Sequence, residues 1–556
     1  MAQHRKSILS ANSPFRWQAA LCYLAFTITF LLSNTVPYAP FMAITLLPNR
    51  ANAENVGKYS AFFTSCVIWG RSAGAGKWGR MADTKGRLRV LYINLIMSTM
   101  FTLAFGLSNN YFVALATRFF LGLFCDIGSI TKVCVSELAG KDRELEAKSM
   151  NLVVLAWALS SLLSPAIGGV LADPVKQFPD AYILQQDPVL HEFLLQYKYF
   201  LPNLVGAILC LIGVPVVKFN LRETLTDQDD DAPTGEEEKT EEDPLIGPGL
   251  GESYVLSREA IQIAKAQDGE DALLRDAYVL TDDFEGVMTT AQSRRAIFVS
   301  SKSLMHEEED NNQQESNNGD DDSTNAGRPP STLGFLCNCN NLSHLIVYCL
   351  GLFLIQFHTE AFPLFCLSQT SGLGLDESTI GGIMMASGLI HSLLQPSIYH
   401  CVFAHRGLKG SIKWAATAAI PMFFLVPFAL LSKKVGPDHH LRWMALVYLG
   451  VIGGLGKIFT VTFFSSISVS LNRLVPRKHR ATFNGLLTKI AGTCKGMAPI
   501  AAGFFTAFAF SSRFLPPWWW GRRWWGAVLL YATMGWMSIL LAFLSFLLLG
   551  RDDEPH

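Results

Sequence analysis

Long apolar runs alternate with short polar segments along most of this chain. A transmembrane helix needs about 20 mostly apolar residues, and twelve runs reach that length. Six precede the middle of the chain and six follow it; numbered as spans one to twelve, they lie near Trp17–Leu46, Val56–Lys77, Leu88–Leu107, Tyr111–Leu138, Met150–Ala172, Tyr199–Phe219, Leu342–Leu367, Ser378–Phe403, Trp414–Leu431, Leu441–Leu471, Ala481–Phe510 and Trp524–Leu549. The pattern predicts an all-α membrane protein with twelve transmembrane helices in two six-helix pseudo-repeats.

A long polar segment separates the two sets of spans. Residues 222–341 are rich in Asp, Glu, Ser, Asn, Gly and Gln, and such a segment cannot bury enough apolar surface to offset the entropy of ordering it. We therefore predict a long disordered central loop on the cytoplasmic side. The expected organisation is an N-terminal tail, a six-helix bundle, the acidic linker, a second six-helix bundle and a C-terminal tail, at residues 1–16, 17–221, 222–341, 342–549 and 550–556.

One stretch of the linker fits an acidic dileucine sorting signal. Glu241 precedes the apolar pair Leu245 and Ile246 by a few residues. Two interpretations are open, a sorting signal or a plain solvated charge run. The first makes sorting adaptors candidate partners and favours a vacuolar or lysosomal membrane over the plasma membrane.

The short loops indicate how the chain is oriented. Basic residues concentrate in the loops after spans two, eight and ten, and basic loops face the cytoplasm in membrane proteins. These three loops lie on one side if both termini are cytoplasmic. Arg513, Arg522 and Arg523 are exceptions, because this orientation places them on the opposite side. They lie beside Trp518–Trp520, a cluster typical of an interfacial aromatic belt.

Composition narrows the class of protein. Residues are 50% hydrophobic and 16% charged, whereas soluble proteins carry about 25% charge. The net charge of −1 indicates no nucleic-acid partner. Cys337 and Cys339 form a single C-x-C without a second pair, so no zinc site is predicted. No nucleophile–base set or phosphate-binding loop is present, so we expect neither an enzyme nor a cofactor.

Span four carries an unusual polar face. At about 100° per residue, one arc of this helix would hold Arg118, Gly122, Cys125, Asp126, Ser129 and Lys132. Charges inside a membrane are costly and point to a bundle interior or a water-filled cavity. Arg118, Asp126 and Lys132 are candidates for solute binding or coupling; the alternative is internal pairing of the bases with Asp126.

Two further spans carry candidate coupling groups. Glu360 in span seven is a candidate proton carrier, because burial favours the protonated form of a carboxyl group; it is alternatively a local cap. His358 and His391 lie in different spans, and no metal site is predicted from them. Lys457, Lys489 and Lys495 lie in spans ten and eleven.

The candidate bases outnumber the acids in these spans. The bases are Arg118, Lys132 and the three lysines, whereas the acids are only Asp126 and Glu360. A net positive cavity would favour an anionic or zwitterionic solute. The alternative is that the lysines extend to the interface or pair with backbone groups.

The two halves carry matching motifs. Gly86 and Gly407 each follow a base after an even-numbered span. Span five carries Pro165 followed by Gly168 and Gly169, and span eleven carries Pro499. Small residues let helices pack closely and proline bends a helix, so these stretches predict either moving helices or ordinary packing.

Several motifs together resemble a known family. The loop from Gly79 to Arg89 has the form G-x-x-x-D-x-x-G-R, with Asp83, Gly86 and Arg87 at its fixed positions. This loop is similar to the signature loop of the major facilitator superfamily, drug:proton antiporter type. Further matches lie in spans four, five and seven, after span six and before span eleven; within the superfamily the chain resembles the zinc-induced facilitator-like group.

The resemblance implies a mechanism and roles for several residues. The two halves would rock about a central site, Asp83 and Arg87 would lock one conformation, and the helices of Pro165 and Pro499 would bend. Arg118 would lie near the site and help to couple protons. We expect a monomeric secondary transporter in the lipid bilayer that exchanges a small organic solute or metal chelate against protons. A solute sensor signalling through the linker, and uniport without protons, are the alternatives.

Overall fold

The computed structural model describes residues 14–140, 143–180, 182, 186–224, 339–431, 439–473, 480–511 and 525–550, with a few side chains inside these ranges left undescribed. The regular structure of these residues is helical. The acidic linker, including Glu241, Leu245 and Ile246, lies outside them. The boundaries predicted for the linker and the tails therefore stay predictions.

The described residues of the N-terminal half form ten helices, several of which are short surface or half-span pieces. They are α1 (Pro14–Ser33), α2 (Ala39–Leu46), α3 (Gly57–Lys85), α4 (Arg87–Gly106), α5 (Tyr111–Leu123), α6 (Ile127–Ala139), α7 (Arg143–Leu171), α8 (Pro174–Gln177), α9 (Pro188–Gln196) and α10 (Phe200–Asn220).

The C-terminal half contains α11 (Cys339–Leu367), α12 (Glu377–Leu425), a 3₁₀ helix (Val426–Leu430), α13 (His439–Arg473), α14 (Arg480–Phe510) and α15 (Trp525–Leu548). The 49 residues of α12 would extend about 74 Å if straight, more than twice the bilayer core of about 30 Å. The helix is in fact two legs that meet at Gly407, whose φ is +64°. The two legs are spans eight and nine.

The predicted twelve crossings are confirmed. Nine helices of the described residues are long and apolar enough to cross a membrane. α12 counts once among them although it contains two legs, and α3 and α14 fall outside the nine. These two helices carry the bases and glycines of the interface, so their lower hydropathy reflects their position between the halves.

Two spans predicted as continuous helices are broken. Span one is interrupted between α1 and α2, where the side chain of Asn34 donates to the carbonyl of Pro202 at 3.1 Å. Span four is interrupted between α5 and α6, where the backbone N–H of Asp126 donates to Asn94 at 3.1 Å. At the span-four break a polar side chain thus satisfies a freed backbone group, which is the condition for breaking a helix inside a membrane; at the span-one break Asn34 links the chain to α10.

Each half has a turn at a glycine with a positive φ, Gly86 in the first half and Gly407 in the second. Gly86 between α3 and α4 has a φ of +95°, and Gly407 also has a positive φ, a conformation that glycine adopts without strain. We call the membrane side that carries both turns the Gly86 face. The other side, which carries Glu54 and Glu377, we call the Glu54 face.

The halves meet along two pairs of helices, α3 with α14 and α7 with α12. Each half also has its own apolar core. The interface is therefore a layer between two packed bundles.

Candidate functional site

A polar cluster drawn from both halves lies at the centre of the interface. Glu360 on α11 is 6% exposed, and its carboxylate accepts a hydrogen bond of 2.9 Å from the hydroxyl of Thr64 on α3. Arg118 on α5 is 3% exposed and interacts electrostatically with Glu360. The structure thus brings together two candidate residues from different halves. We call Glu360, Arg118 and Thr64 the central cluster.

The guanidinium of Arg118 is only partly satisfied. Its Cζ lies 5.1 Å from the centroid of the Phe105 ring, and its Nε is buried without a hydrogen-bond partner. A buried polar group without a partner is costly. The arrangement leaves this cation able to accept an additional anionic or polar partner.

A buried tyrosine pair adjoins Arg118. Tyr38 is fully buried, interacts electrostatically with Arg118, and accepts a 3.0 Å hydrogen bond from the Asn203 amide. Its ring stacks on Tyr199 with centroids 5.4 Å apart. These contacts tie the span-one break to α10 on the N-terminal side of the central cluster.

The remaining polar groups of span four lie apart from the central cluster. Asp126 is buried at the start of α6 and accepts a 2.6 Å hydrogen bond from the Ser129 hydroxyl. The ammonium of Lys132 lies 5.1 Å from the Trp157 ring centroid and interacts electrostatically with Asp126. The expectation of one continuous arc was wrong, because the break between α5 and α6 separates Arg118 from both groups.

The three lysines of the C-terminal half do not converge on one point. Lys457 lies near the middle of α13, and its ammonium donates to the carbonyl of Met384 at 3.5 Å. Lys495 lies over Phe464, with Nζ 5.5 Å from the ring centroid. Lys489 is exposed. A cavity lined by all three lysines therefore stays a prediction, and Lys457 is the one placed beside other unpartnered polar groups.

The Gly86 loop ends in a network of charges within the N-terminal half. Arg87 forms a 2.8 Å salt bridge with Glu137 on α6. Glu223, just after α10, accepts from the backbone N–H groups of Arg87 and Leu88 at 2.7 and 3.1 Å, and Thr224 donates to Glu137. We call these contacts the Arg87 network. They tie α4, α6 and α10 together at one face.

Gly79 and Asp83 lie in the final part of α3, and the Asp83 side chain is outside the described residues. At Gly86, an added Cβ would lie 2.5 Å from the Glu223 carboxylate. This glycine is therefore required both by its positive φ and by the close approach of Glu223. The conformational lock by Asp83 and Arg87 stays a prediction.

Glycines allow the halves to approach closely toward the Glu54 face. A Cβ on Gly169 would lie 2.4 Å from the Glu377 carbonyl, and one on Gly503 would lie 1.9 Å from the Gly57 carbonyl. Gly168 instead packs against the Asn34 carbonyl within its own half. α7 is helical through Pro165 and α14 is helical through Pro499.

Polar contacts also join the halves at the Glu54 face. The carboxylate of Glu54 accepts from the Ser368 hydroxyl at 2.7 Å and from the backbone N–H of Thr370 at 3.0 Å. Lys176 and Glu377 form a 3.5 Å salt bridge. These contacts close the Glu54 face.

The carboxylate of Asp376 lies at the Glu54 face, just before α12. Burial alone would raise the pKa of Asp376, but hydrogen bonds from Ser378 and Thr379 outweigh burial and lower it. Asp376 therefore stays ionised at the start of α12, where a negative charge is favourable.

Several functional positions were not found from the sequence. Thr64 is one hydroxyl among many in apolar spans, and nothing local marks it as the partner of Glu360. Glu54 lies in a short loop whose contacts are known only once the halves are assembled. Glu223 had a signal, since it lies in the Leu221–Thr224 stretch after span six, but no partner was assigned to it. No cluster of three or more metal-ligating side chains occurs in the described residues.

Comparisons with known proteins identify the family. The Major Facilitator Superfamily profile matches residues 19–494. The chain is 24% identical over 512 residues to a probable peptide/nitrate transporter of Arabidopsis thaliana, covering 91% of this chain and 85% of that protein. It is 25% identical over 509 residues to Protein ZINC INDUCED FACILITATOR-LIKE 1 of the same plant, covering 91% and 86%.

Solved structures share the fold. A D-xylose-proton symporter superimposes with a TM-score of 0.55 at 12% identity, covering 97% of this chain and 98% of that one. The nucleoside transporter NupG superimposes with a TM-score of 0.53 at 12% identity, covering 96% and 100%. The predicted fold and the predicted resemblance are thereby confirmed: the chain is similar to the zinc-induced facilitator-like group, and it belongs to the major facilitator superfamily as a multi-pass membrane transporter.

Proposed function

We propose that this transporter exchanges a small organic solute or metal chelate against protons by alternating access. The observation that carries the proposal is the central cluster, in which Glu360 from one half meets Thr64 and Arg118 from the other. A carboxyl group at the interface is bound differently in its two protonation states. Proton uptake there therefore changes the attraction between the halves.

The exchange follows from competition at Glu360. Ionised Glu360 attracts Arg118 and can bind a positively charged group of a solute. Once it takes up a proton, both attractions are lost, so the solute is released and the halves are held together less tightly. Because the carboxyl group binds either a proton or the solute, the two are carried in opposite directions.

The finer placement of the protein follows the basic loops. We propose that both termini and the Gly86 face are cytoplasmic and that the Glu54 face is lumenal or extracellular. The protein would act as a monomer in a vacuolar, lysosomal or plasma membrane. Sorting adaptors are proposed partners of the stretch around Glu241.

Reconstituted protein tests this proposal. Uptake driven by an imposed pH gradient would be measured in proteoliposomes with organic anions, amino-acid-like chelators, zinc and potassium. Wild type would be compared with Glu360→Gln and with Glu192→Gln, whose side chain is exposed on α9. We expect gradient-driven uptake in wild type and Glu192→Gln. We expect its loss in Glu360→Gln, because a neutral side chain at this position can neither exchange a proton nor hold the cationic group of the solute.

Three results would count against the proposal. Gradient-driven uptake that persists in Glu360→Gln would remove Glu360 from proton coupling. Uptake in wild type that ignores the pH gradient would indicate uniport, and no flux of any solute through folded protein would favour a sensor.

A further inference from the structure

A second polar cluster lies inside the C-terminal half, away from the central cluster. Lys457 on α13 interacts electrostatically with His358 on α11 and His391 on α12. The three side chains thus come from three helices of the C-terminal half. We call them the Lys457 cluster.

Among the residues that the structure describes, no anion lies beside the cation of this cluster. The ammonium of Lys457 carries three donors, and one of them reaches the Met384 carbonyl at 3.5 Å, a long hydrogen bond. It forms no salt bridge with any residue that the structure describes. A desolvated ammonium without a counter-ion is costly, so the site favours an added negative group.

The two histidines leave polar atoms unused. His391 is 6% exposed, and its Nε2 is buried without a hydrogen-bond partner; the Nδ1 of His358 is in the same condition. Buried polar atoms are nearly always hydrogen-bonded in proteins. A neutral imidazole can supply one N–H donor, so the cluster can offer several donors to one acceptor.

A cavity adjoins the Lys457 cluster at His358. This side chain lines a space between α11, α12 and α13. Gly453 and Thr460 also line it and lie on the same face of α13 as Lys457. A Cβ added to Gly456 would meet no atom within 4 Å.

We propose that the Lys457 cluster binds a carboxylate of the transported solute, an inference that rests on the proposed transport function. The ammonium supplies the charge and the imidazole N–H groups orient the two oxygens. A metal ion is disfavoured, because the ammonium repels cations and no third metal ligand adjoins the two histidines among the described residues. Together with ionised Glu360 for a cationic group, this site selects a zwitterionic solute.

Acetate is the smallest probe of such a site, and acetamide is its neutral match. Full-length protein in nanodiscs, with ¹⁵N-labelled histidine side chains, would be titrated with each compound at constant ionic strength and observed by NMR. The chain has 12 histidines, and His358→Gln and His391→Gln assign the two signals of interest. Lys457→Met and Lys457→Arg test the charge, and Lys58→Met, exposed at the start of α3, is the matched control.

We expect acetate to shift the His358 and His391 signals saturably and acetamide not to. Lys457→Met should weaken acetate binding roughly tenfold or more, since a charge-assisted hydrogen bond is lost, while Lys457→Arg and Lys58→Met should retain it. Equal shifts with acetamide, no saturable shift with acetate, or full binding in a folded Lys457→Met protein would overturn the proposal. Because binding is read without flux, acetate binding in a protein that transports nothing would contradict the transport function alone.

Discussion

The two membrane faces of this transporter are held together in different ways. At the Glu54 face the polar contacts run between the halves, from Glu54 to Ser368 and from Lys176 to Glu377. At the Gly86 face the described contacts of the Arg87 network lie within the N-terminal half. In the C-terminal half, Lys413 likewise donates to the Gly550 carbonyl of its own half.

This difference separates parts that move from parts that stay rigid. Contacts between the halves must break when the Glu54 face opens, so they should be numerous and individually weak. Contacts within one half can persist through the cycle and can be strong. The glycine contacts and the exposed Lys176 belong to the first group, and the buried salt bridge of Arg87 belongs to the second.

The largest effect is expected where the halves touch through glycine. Gly503→Ala would place a Cβ 1.9 Å from the Gly57 carbonyl, which requires the backbones to separate. Overpacking of this kind costs about 1–3 kcal/mol, so we expect initial transport rates to fall roughly tenfold. Gly76→Ala is the matched control, because its Cβ would meet no atom within 4 Å. Equal rates in both variants would mean that this contact is unimportant for closing.

A smaller effect on transport but a clear one on stability is expected at the Arg87 network. Arg87→Ala leaves Glu137 partly buried without its cation, and losing a charged hydrogen-bond partner costs about 1.5–3 kcal/mol. The thermal unfolding midpoint of the detergent-purified protein should fall, and Arg87→Lys should recover part of the loss. Arg89→Ala, which removes an exposed base two residues away, should leave the midpoint unchanged. A midpoint unchanged in Arg87→Ala would contradict a structural role for the network.

The smallest effect is expected at the salt bridge between the halves. The Lys176 side chain is 59% exposed, and such pairs contribute about 0–1 kcal/mol. Lys176→Gln and Glu377→Gln should each slightly raise the access of solute from the Glu54 face. This access is measured as the protection that added solute gives the transporter against a membrane-impermeant inhibitor. The double variant should add little to either one. Fully additive effects would show that the two residues act separately.

Much of the architecture could be predicted from apolar run length, because lipid imposes that length on every crossing helix. The motif loop around Gly86 and its match at Gly407 could also be predicted, because few residues tolerate a positive φ. The breaks in spans one and four could not be predicted from the sequence. They depend on Asn34 and Asn94 reaching backbone groups that are distant in sequence.

The site was only partly predictable. Arg118, Glu360 and Lys457 were visible because charge inside an apolar span is costly and rare. Their grouping was not visible, because it depends on the way in which the two halves face each other. The sequence suggested one positive cavity, whereas the structure places Glu360 with Arg118 and Lys457 with two histidines.

Hydrogen exchange on the unlabelled protein tests most directly whether the charge of Glu360 holds the halves together. Deuterium uptake would be measured by mass spectrometry for wild type, Glu360→Gln and Glu192→Gln in nanodiscs. We expect Glu360→Gln to raise uptake at the Glu54 face, in residues 57–64 and 503–510, and to leave residues 86–90 unchanged. Uptake at the Glu54 face that is unchanged or lower in Glu360→Gln would contradict the central role of this carboxylate.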